Sequence, residues 1–275
     1  MRTWVQQVAR GGGAAWVADP DEPGPHFRPS SHAPAVELPF RLHADVVEEL
    51  LERLPPLVDA PRFDARHVRE AEPCALLTLT LLAASHGVEP PALPVPADAL
   101  IAPVRIEDAA ELAAFLERAG GTDFLERLAG WGWSPGDARD LASLAGELAR
   151  NAVEHGGAAA WAGAWRCAGE LRIAVADSGM GFGGSLGMAD EEDALLRGLV
   201  HGASRRGGRR RGGLMRVSAL VAAMGGTMRV RSRTVVLSGA PTWQDPSVRS
   251  QLPFLPGVQV EVVLPPPAPR PRSSG

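Results

Sequence analysis

Glu147-Leu148-Ala149-Arg150-Asn151-Ala152-Val153-Glu154-His155-Gly156 is the stretch on which the reading of this chain turns. Leu141, Leu144, Ala145, Leu148 and Ala152 recur at helical spacing and predict a helix from Pro135 to His155. Ser134 is a natural cap for it, with Pro135 at the first position and Asp137 in the first turn. Gly156-Gly157 ends it. Beside the apolar stripe, Glu147, Asn151, Glu154 and His155 fall three and four residues apart and form one polar ridge. An Asn oxygen suits a hard cation such as magnesium, and a carboxylate one turn earlier suits holding or deprotonating a water or hydroxyl. A solvated helix face explains the ridge equally well if the ridge is taken alone.

Downstream, Leu171-Arg172-Ile173-Ala174-Val175-Ala176-Asp177 alternates as a strand with Leu171, Ile173, Val175 and Asp177 on one face. A carboxylate continuing a buried face needs donors. Asp177 is therefore either a turn cap before Ser178-Gly179 or a pocket acid that accepts from a ligand amine such as that of adenine. Gly179-Met180-Gly181-Phe182-Gly183-Gly184 follows and contains G-x-G-x-x-G. A dinucleotide fingerprint opens a helix directly and carries an acid about twenty residues on, whereas these glycines lead to Ser185-Leu186-Gly187 and the acidic patch from Asp190 to Asp193. That disfavours the dinucleotide reading. Without a Lys there is no Walker A loop.

A short helix is expected from Ala194 to Val200, then a loop from His201 to Gly213 rich in Gly and Arg, then a helix from Leu214 to Met224. A cationic loop feeding a helix N-terminus cradles phosphate. A flexible solvated loop or an electrostatic nucleic-acid contact fits the same composition. No aromatics interleave with the arginines, which counts against single-strand stacking. The last strands are expected at 227–236 and 258–264. Val258, Val260, Val262 and Leu264 then face in, Gln259 and Glu261 face out, and the sheet has one wetted face.

Upstream, strands are expected at 36–40, 61–68 and 92–96, alternating with helices at 44–54, 74–86 and 108–119. The helix after Pro73 is apolar nearly all round and should be buried. This order predicts a small parallel-type α/β layer. The apolar run from Cys74 to Ala84 is too short to span a bilayer. Cys74 and Cys167 have no metal spacing and read as reduced core residues. With 45% hydrophobic and 22% charged residues the chain falls in the soluble globular class, and a net charge of −4 argues against a protein built wholly to hold nucleic acid. No secretory leader is read, and a cytoplasmic location is expected.

Taken together, these boxes resemble the Bergerat-type ATP-binding domain of the GHKL superfamily, which includes histidine kinases, anti-sigma-factor serine kinases, Hsp90 and gyrase B. Glu147 to His155 is similar to its N box and Asp177 to Phe182 to its first glycine box. Arg206 to Leu214 resembles the ATP lid with the second glycine box. The resemblance implies ATP and Mg2+ as cofactors. It implies that Asn151 binds the metal, that Glu147 is the general base or a water-holding carboxylate, and that Asp177 reads the adenine amine. Gly179 and Gly181 would close over the base. Gly212, Gly213 and Leu214 would approach the phosphates, with Arg206 and Arg209 of the lid nearby. No long heptad helix surrounds His43 or His67, so a sensor histidine kinase does not fit, and the anti-sigma type is the nearer likeness.

The first half resembles a STAS domain, the module of anti-sigma-factor antagonists, in the strand from Phe63 to Val68 leading into the helix after Pro73. The Ser that often starts that helix is absent from Glu70-Ala71-Glu72-Pro73-Cys74. A generic α/β cap or dimerisation layer fits the same pattern. The expected organisation is a poorly structured segment 1–35, a STAS-like α/β domain 36–120, a GHKL-type α/β sandwich 121–265 with a mixed sheet and helices on one face, and a disordered tail 266–275. Three functions compete. The first is a Mg-ATP-dependent serine/threonine protein kinase of the anti-sigma type, acting on a regulatory partner such as a sigma factor or a STAS-type antagonist. The second is a non-catalytic ATP-sensing switch or scaffold, and the third a nucleic-acid module using the Arg-rich loop. A homodimer is compatible with the first two, and no membrane partner is expected.

Overall fold

A computed structural model describes residues 36–53, 63–85, 90–156, 159–202 and 213–267. The expected segment 1–35, the expected lid residues Arg206, Arg209 and Gly212, and most of the expected tail lie outside the described residues.

The helix that decided the sequence reading runs from Pro135 to Gly156 (α5). A reciprocal capping box starts it. Asp137 N donates to Ser134 Oγ (3.1 Å), while Ser134 N and Oγ donate to Asp137 Oδ2 (3.3 and 2.6 Å). Its buried stripe of Ala138, Leu141, Leu144, Ala145, Leu148, Ala149 and Ala152 lies on a seven-stranded sheet of order β10-β9-β8-β11-β7-β6-β5. These strands are β5 (Ile101–Ile106), β6 (Ala160–Cys167), β7 (Glu170–Asp177), β8 (Thr227–Ser232), β9 (Val235–Gly239), β10 (Ser247–Arg249) and β11 (Val258–Leu264). Every pairing in this sheet is antiparallel, so the expected mixed sheet is corrected. Helices α3 (Ala109–Gly120) and α4 (Thr122–Gly130) pack on α5, and α8 (Gly213–Ala223) lies beside it.

Three expectations change. No strand forms at 92–96, where Pro94 and Pro96 withhold donors. The strand is instead 101–106, at the sheet edge, with an irregular register between Ile101 and Val104 around Pro103. Hence β5 and α3, read from sequence as part of the first α/β unit, belong to the large sheet and its helix layer. Next, the expected strand 227–236 is a hairpin. Arg233 takes φ 50° in a two-residue turn between Ser232 and Val235, a turn without the Asn-Gly signal that marks such sites. Finally, the second face of the sheet is not wetted. Helices α1 (Ala44–Arg53) and α2 (Pro73–Ser85) cover it, so helices lie on both faces rather than one.

That second face explains the all-round apolar helix. Leu76, Leu77, Leu79, Leu81 and Leu82 of α2 are all buried, each contributing about 1.5–3 kcal/mol of transfer free energy. They share a core with Trp161, Trp165, Ala174 and Ala176 of the sheet, and Trp165 Nε1 donates to the Ala71 carbonyl (2.9 Å). The polar residues there are buried in charge-compensated form. Arg172 pairs with Glu72 (2.9 Å) and Glu261 (3.3 Å), and Arg229 with Asp45 and Glu48 (2.9 Å each). Arg231 pairs with Glu48. Burial pushes the Glu261 carboxyl up to about 7, with the Glu72 charge adding to the shift and Arg172 opposing it. Parallel pairing in the first half is confined, among the described residues, to the two-residue ladders β1 (Val36–Glu37) with β3 (Phe63–Asp64) and β2 (Arg41–Leu42) with β4 (Glu70–Ala71). Cys74 and Cys167 are free and buried, and burial pushes the Cys167 thiol up to about 12. No helix among the described residues is long and apolar enough to cross a membrane.

Candidate functional site

Between α5, the glycine turn after β7 and the start of β11 lies a cleft of about 770 Å³, counting the solvent-filled space at its mouth. Leu148, Val175, Phe182, Leu186, Leu214, Val258 and Val260 make its apolar walls. Asn151 and Asp177 both line it, as do His155, Gly181 and Gly213.

Asp177 ends β7 and is 5% exposed. Its Oδ1 accepts from Gly179 N (2.8 Å) and Val258 N (3.3 Å), and neither bond uses Oδ2. Burial pushes the carboxyl up to about 6 against the pull of those two donors. The backbone around it closes only because three residues lack a Cβ. A Cβ on Gly257 (φ +74°) would fall 1.8 Å from the Asp177 carbonyl oxygen. One on Gly179 would fall 2.3 Å from Gly156 O, and one on Gly156 would fall 2.8 Å from Asp177 Cβ. The end of α5, the glycine turn and the entry to β11 thus converge on one acid. Gly257 was missed from sequence, since a lone Pro-Gly pair reads as an ordinary turn.

The glycine run is partly helical, against expectation: α6 spans Gly181–Leu186. Gly181 takes φ +72°. Glu191, the first residue of α7 (Glu191–Val200), holds the turn by accepting from Gly183 N (3.1 Å) and from Ser232 Oγ, which itself accepts from Phe182 N (2.9 Å). The dinucleotide fingerprint stays disfavoured, because β7 sits in an antiparallel sheet rather than a parallel βαβ unit.

On α5, Asn151 is half-buried and its Nδ2 is enclosed without a hydrogen-bond partner. Turning the amide over, an isosteric change, presents Oδ1 there instead. Gly213, first residue of α8, closes on this ridge. A Cβ there would lie 2.1 Å from Glu147 Oε1 and 2.8 Å from Asn151 Nδ2. Glu147 is not a cleft-lining residue, and its Oε2 is paired with Arg150 Nη2 (2.9 Å). Arg150 was not singled out from sequence, though its i+3 position relative to Glu147 carried the signal. Gly179 sits behind the cleft wall and shapes Asp177 rather than lining the cavity. The structure therefore brings Asn151, Asp177, Gly181, Gly213 and Leu214 to one cavity, with Glu147 against Gly213 and Gly179 bonded to Asp177.

Residues 136–266 match the family model described as histidine kinase-, DNA gyrase B-, and HSP90-like ATPase. Residues 136–266 are a GHKL-type ATPase domain. A search of curated proteins returned no match to the chain. The matched span begins at the capped start of α5 and ends just past β11. It takes in both ends of the cleft, while β5, α3 and α4 extend the ATPase domain's sheet and helix layer from outside the match.

Proposed function

We propose that the ATPase domain binds Mg-ATP and that the protein is a regulator acting through a protein partner. The observation carrying this is the pairing at one cleft of a buried acid having an oxygen left over with an enclosed, unpartnered amide. Asp177 Oδ2 would accept the adenine amine, with the apolar walls around the base. Gly181 admits the backbone close to it. Asn151, through its oxygen, would hold magnesium. Among the described residues no cluster of three His, Cys, Asp or Glu side chains could hold a cation by itself, so Asn151 would share the metal with the nucleotide. Gly213 and the N-terminus of α8 face the phosphate end, where backbone donors and the helix dipole favour anions. The chemistry magnesium would supply when bound is neutralisation of phosphate charge.

Two outcomes of binding are distinguished by Glu147. As a general base it would take the proton of an attacking hydroxyl on a partner's Ser or Thr, as in an anti-sigma-type kinase. Its ion pair with Arg150 favours the second reading, a switch in which ATP orders the site and changes a protein-binding surface without phosphoryl transfer. Calorimetric titration of wild type, Asn151→Ala and Asp177→Asn with ATP, with and without Mg2+, tests the binding. Wild type is expected to bind, Asn151→Ala to lose the Mg2+ dependence, and Asp177→Asn to lose adenine affinity. A wild-type protein indifferent to ATP ends the reading. Labelled ATP then separates the two outcomes: phosphate released or transferred above the Glu147→Ala background excludes the passive switch.

A further inference from the structure

The two faces of the sheet are joined at one arginine. Among the described residues, the ion pairs between the N-terminal layer and the sheet share one polarity, with the acid on the layer and the arginine on the sheet. The pairs are Asp45–Arg229, Glu48–Arg229, Glu48–Arg231, Glu52–Arg249 and Glu72–Arg172. Complementary charge of this kind fixes the register of one surface on another. Arg231 differs from the other arginines. It is 2% exposed, and among the described residues Glu48 is the carboxylate paired with it. Its Nη1 donates to Glu48, and its Nη2 donates to the Pro253 carbonyl.

Pro253 opens the segment that leads to Gly257. Leu255 N donates to Arg233 O and Arg233 N to Gly257 O (3.3 Å each). The segment ends at Val258, whose N–H donates to Asp177 Oδ1. The next residue of β8, Ser232, points to the other face and holds the glycine turn through Phe182 N and Glu191. A continuous run of bonds thus leads from helix α1 through Arg231 to both backbone walls of the cleft.

We propose that Arg231 is a positioning residue that couples docking of α1 to the shape of the cleft, so that the N-terminal layer regulates nucleotide binding. With α1 seated, Glu48 compensates the buried guanidinium and Arg231 holds Pro253 in place. With α1 displaced, a buried charge is left without its partner, and the side chain moves toward water. Pro253 O then loses its donor, and the segment that presents Val258 N–H to Asp177 loosens. Reciprocity requires that a ligand on Asp177 favour the docked layer. The regulatory part rests on the nucleotide reading above; the coupling itself does not.

Hydrogen exchange read by mass spectrometry on the full chain tests it, comparing wild type, Glu48→Ala and Glu52→Ala, each also titrated with ATP. Glu48→Ala is expected to lower amide protection about tenfold in 44–53, in 252–258 and in 177–187, and to weaken ATP binding roughly tenfold, within the span usual for coupled sites. Glu52→Ala breaks only the peripheral pair with Arg249 and is expected to leave 252–258 as in wild type. Adding Arg231→Met to Glu48→Ala removes the orphan charge, so thermal stability should recover while protection at 252–258 does not, which a purely stabilising role would not produce. Loosened 44–53 with unchanged 252–258 in Glu48→Ala overturns the proposal. Should that variant fail to fold, wild-type exchange in a low-urea series decides: joint opening of 44–53 and 252–258 supports the coupling, and separate opening refutes it. If wild type binds no ATP, the nucleotide reading falls while the exchange result still judges the coupling.

Discussion

Replacing Asp177 by Asn should stabilise the free protein while removing its affinity for adenine nucleotide. The carboxyl is held at about 6, above the usual carboxylate range, chiefly by burial. The native state therefore binds the proton more tightly than the unfolded chain. Between pH ~4 and ~6 the native state carries more protons, so stability falls as pH rises through that window and stays lowered above it. For a group only 5% exposed, a carboxyl raised to about 6 corresponds to at most about 3 kcal/mol at neutral pH. Asn keeps an oxygen to accept from Gly179 and Val258 and resembles the protonated acid in charge. Its amide nitrogen takes the side facing the cleft, where water reaches it. Because 1 kcal/mol moves the melting point of a domain this size about 2–4 °C, a gain of roughly 5–10 °C is expected at pH 7.5, vanishing near pH 4. In the same variant a donor replaces the acceptor that meets the adenine amine, so the ATP-induced shift should disappear. Thermal melts at the two pH values, with and without Mg-ATP, make the measurement. A variant that melts at or below wild type at pH 7.5, or whose gain persists unchanged at pH 4, refutes the reasoning.

The same carboxyl makes binding proton-linked: an amine donating to Asp177 draws its pKa down from about 6, so ATP binding near pH 6 should release a fraction of a proton and weaken below that pH. Calorimetry in two buffers of different ionisation enthalpy reads the released proton. Removing Arg150 frees Glu147 from its ion pair; for partly exposed groups this should change stability by less than about 1 kcal/mol, while any ATP hydrolysis rises over wild type in a phosphate-release assay. Gly257→Ala places a methyl 1.8 Å from the Asp177 carbonyl oxygen at φ +74°, and a loss of about 2 kcal/mol or more in urea unfolding is expected, with ATP affinity falling alongside.

What was legible in the sequence was whatever one element carries alone. The helix at 135–156 announced itself through an apolar stripe and a Ser-x-x-Asp box, and both appear in the structure. Asp177 stood out because it continues the buried face of an alternating strand, and Asn151 because it rides one turn after Glu147. That the two line one cavity is a property of the tertiary structure, helped by close backbone approaches at Gly156, Gly179 and Gly257. Gly257 lies eighty residues from Asp177 in sequence, and no local pattern connects them. The hairpin at Arg233 was hidden for a different reason: a non-glycine residue at positive φ carries no compositional signal, and the surrounding contacts impose it.

The largest misreading, the wetted face, shows where alternation stops being informative. Arg172, Arg229, Arg231, Gln259 and Glu261 sit at polar positions of period two, and that pattern is the same whether water or a second layer covers them. The distinguishing residues lie in another part of the chain. The helix 44–53 presents Asp45, Glu48 and Glu52 at spacings of three and four, beside an apolar stripe of Val47, Leu50 and Leu51. An acidic edge next to an apolar one does not by itself say what it faces. Set against a sheet whose polar face is rich in arginine, and with a neighbouring helix too apolar to stand in water, it specifies a cover. The burial of Glu48 and Arg231 follows from that match, and neither is favourable without the other. A pattern read strand by strand assigns such residues to solvent; only pairing the charge of one segment with the opposite charge of another reveals the second layer, and with it the physical connection between that layer and the cleft.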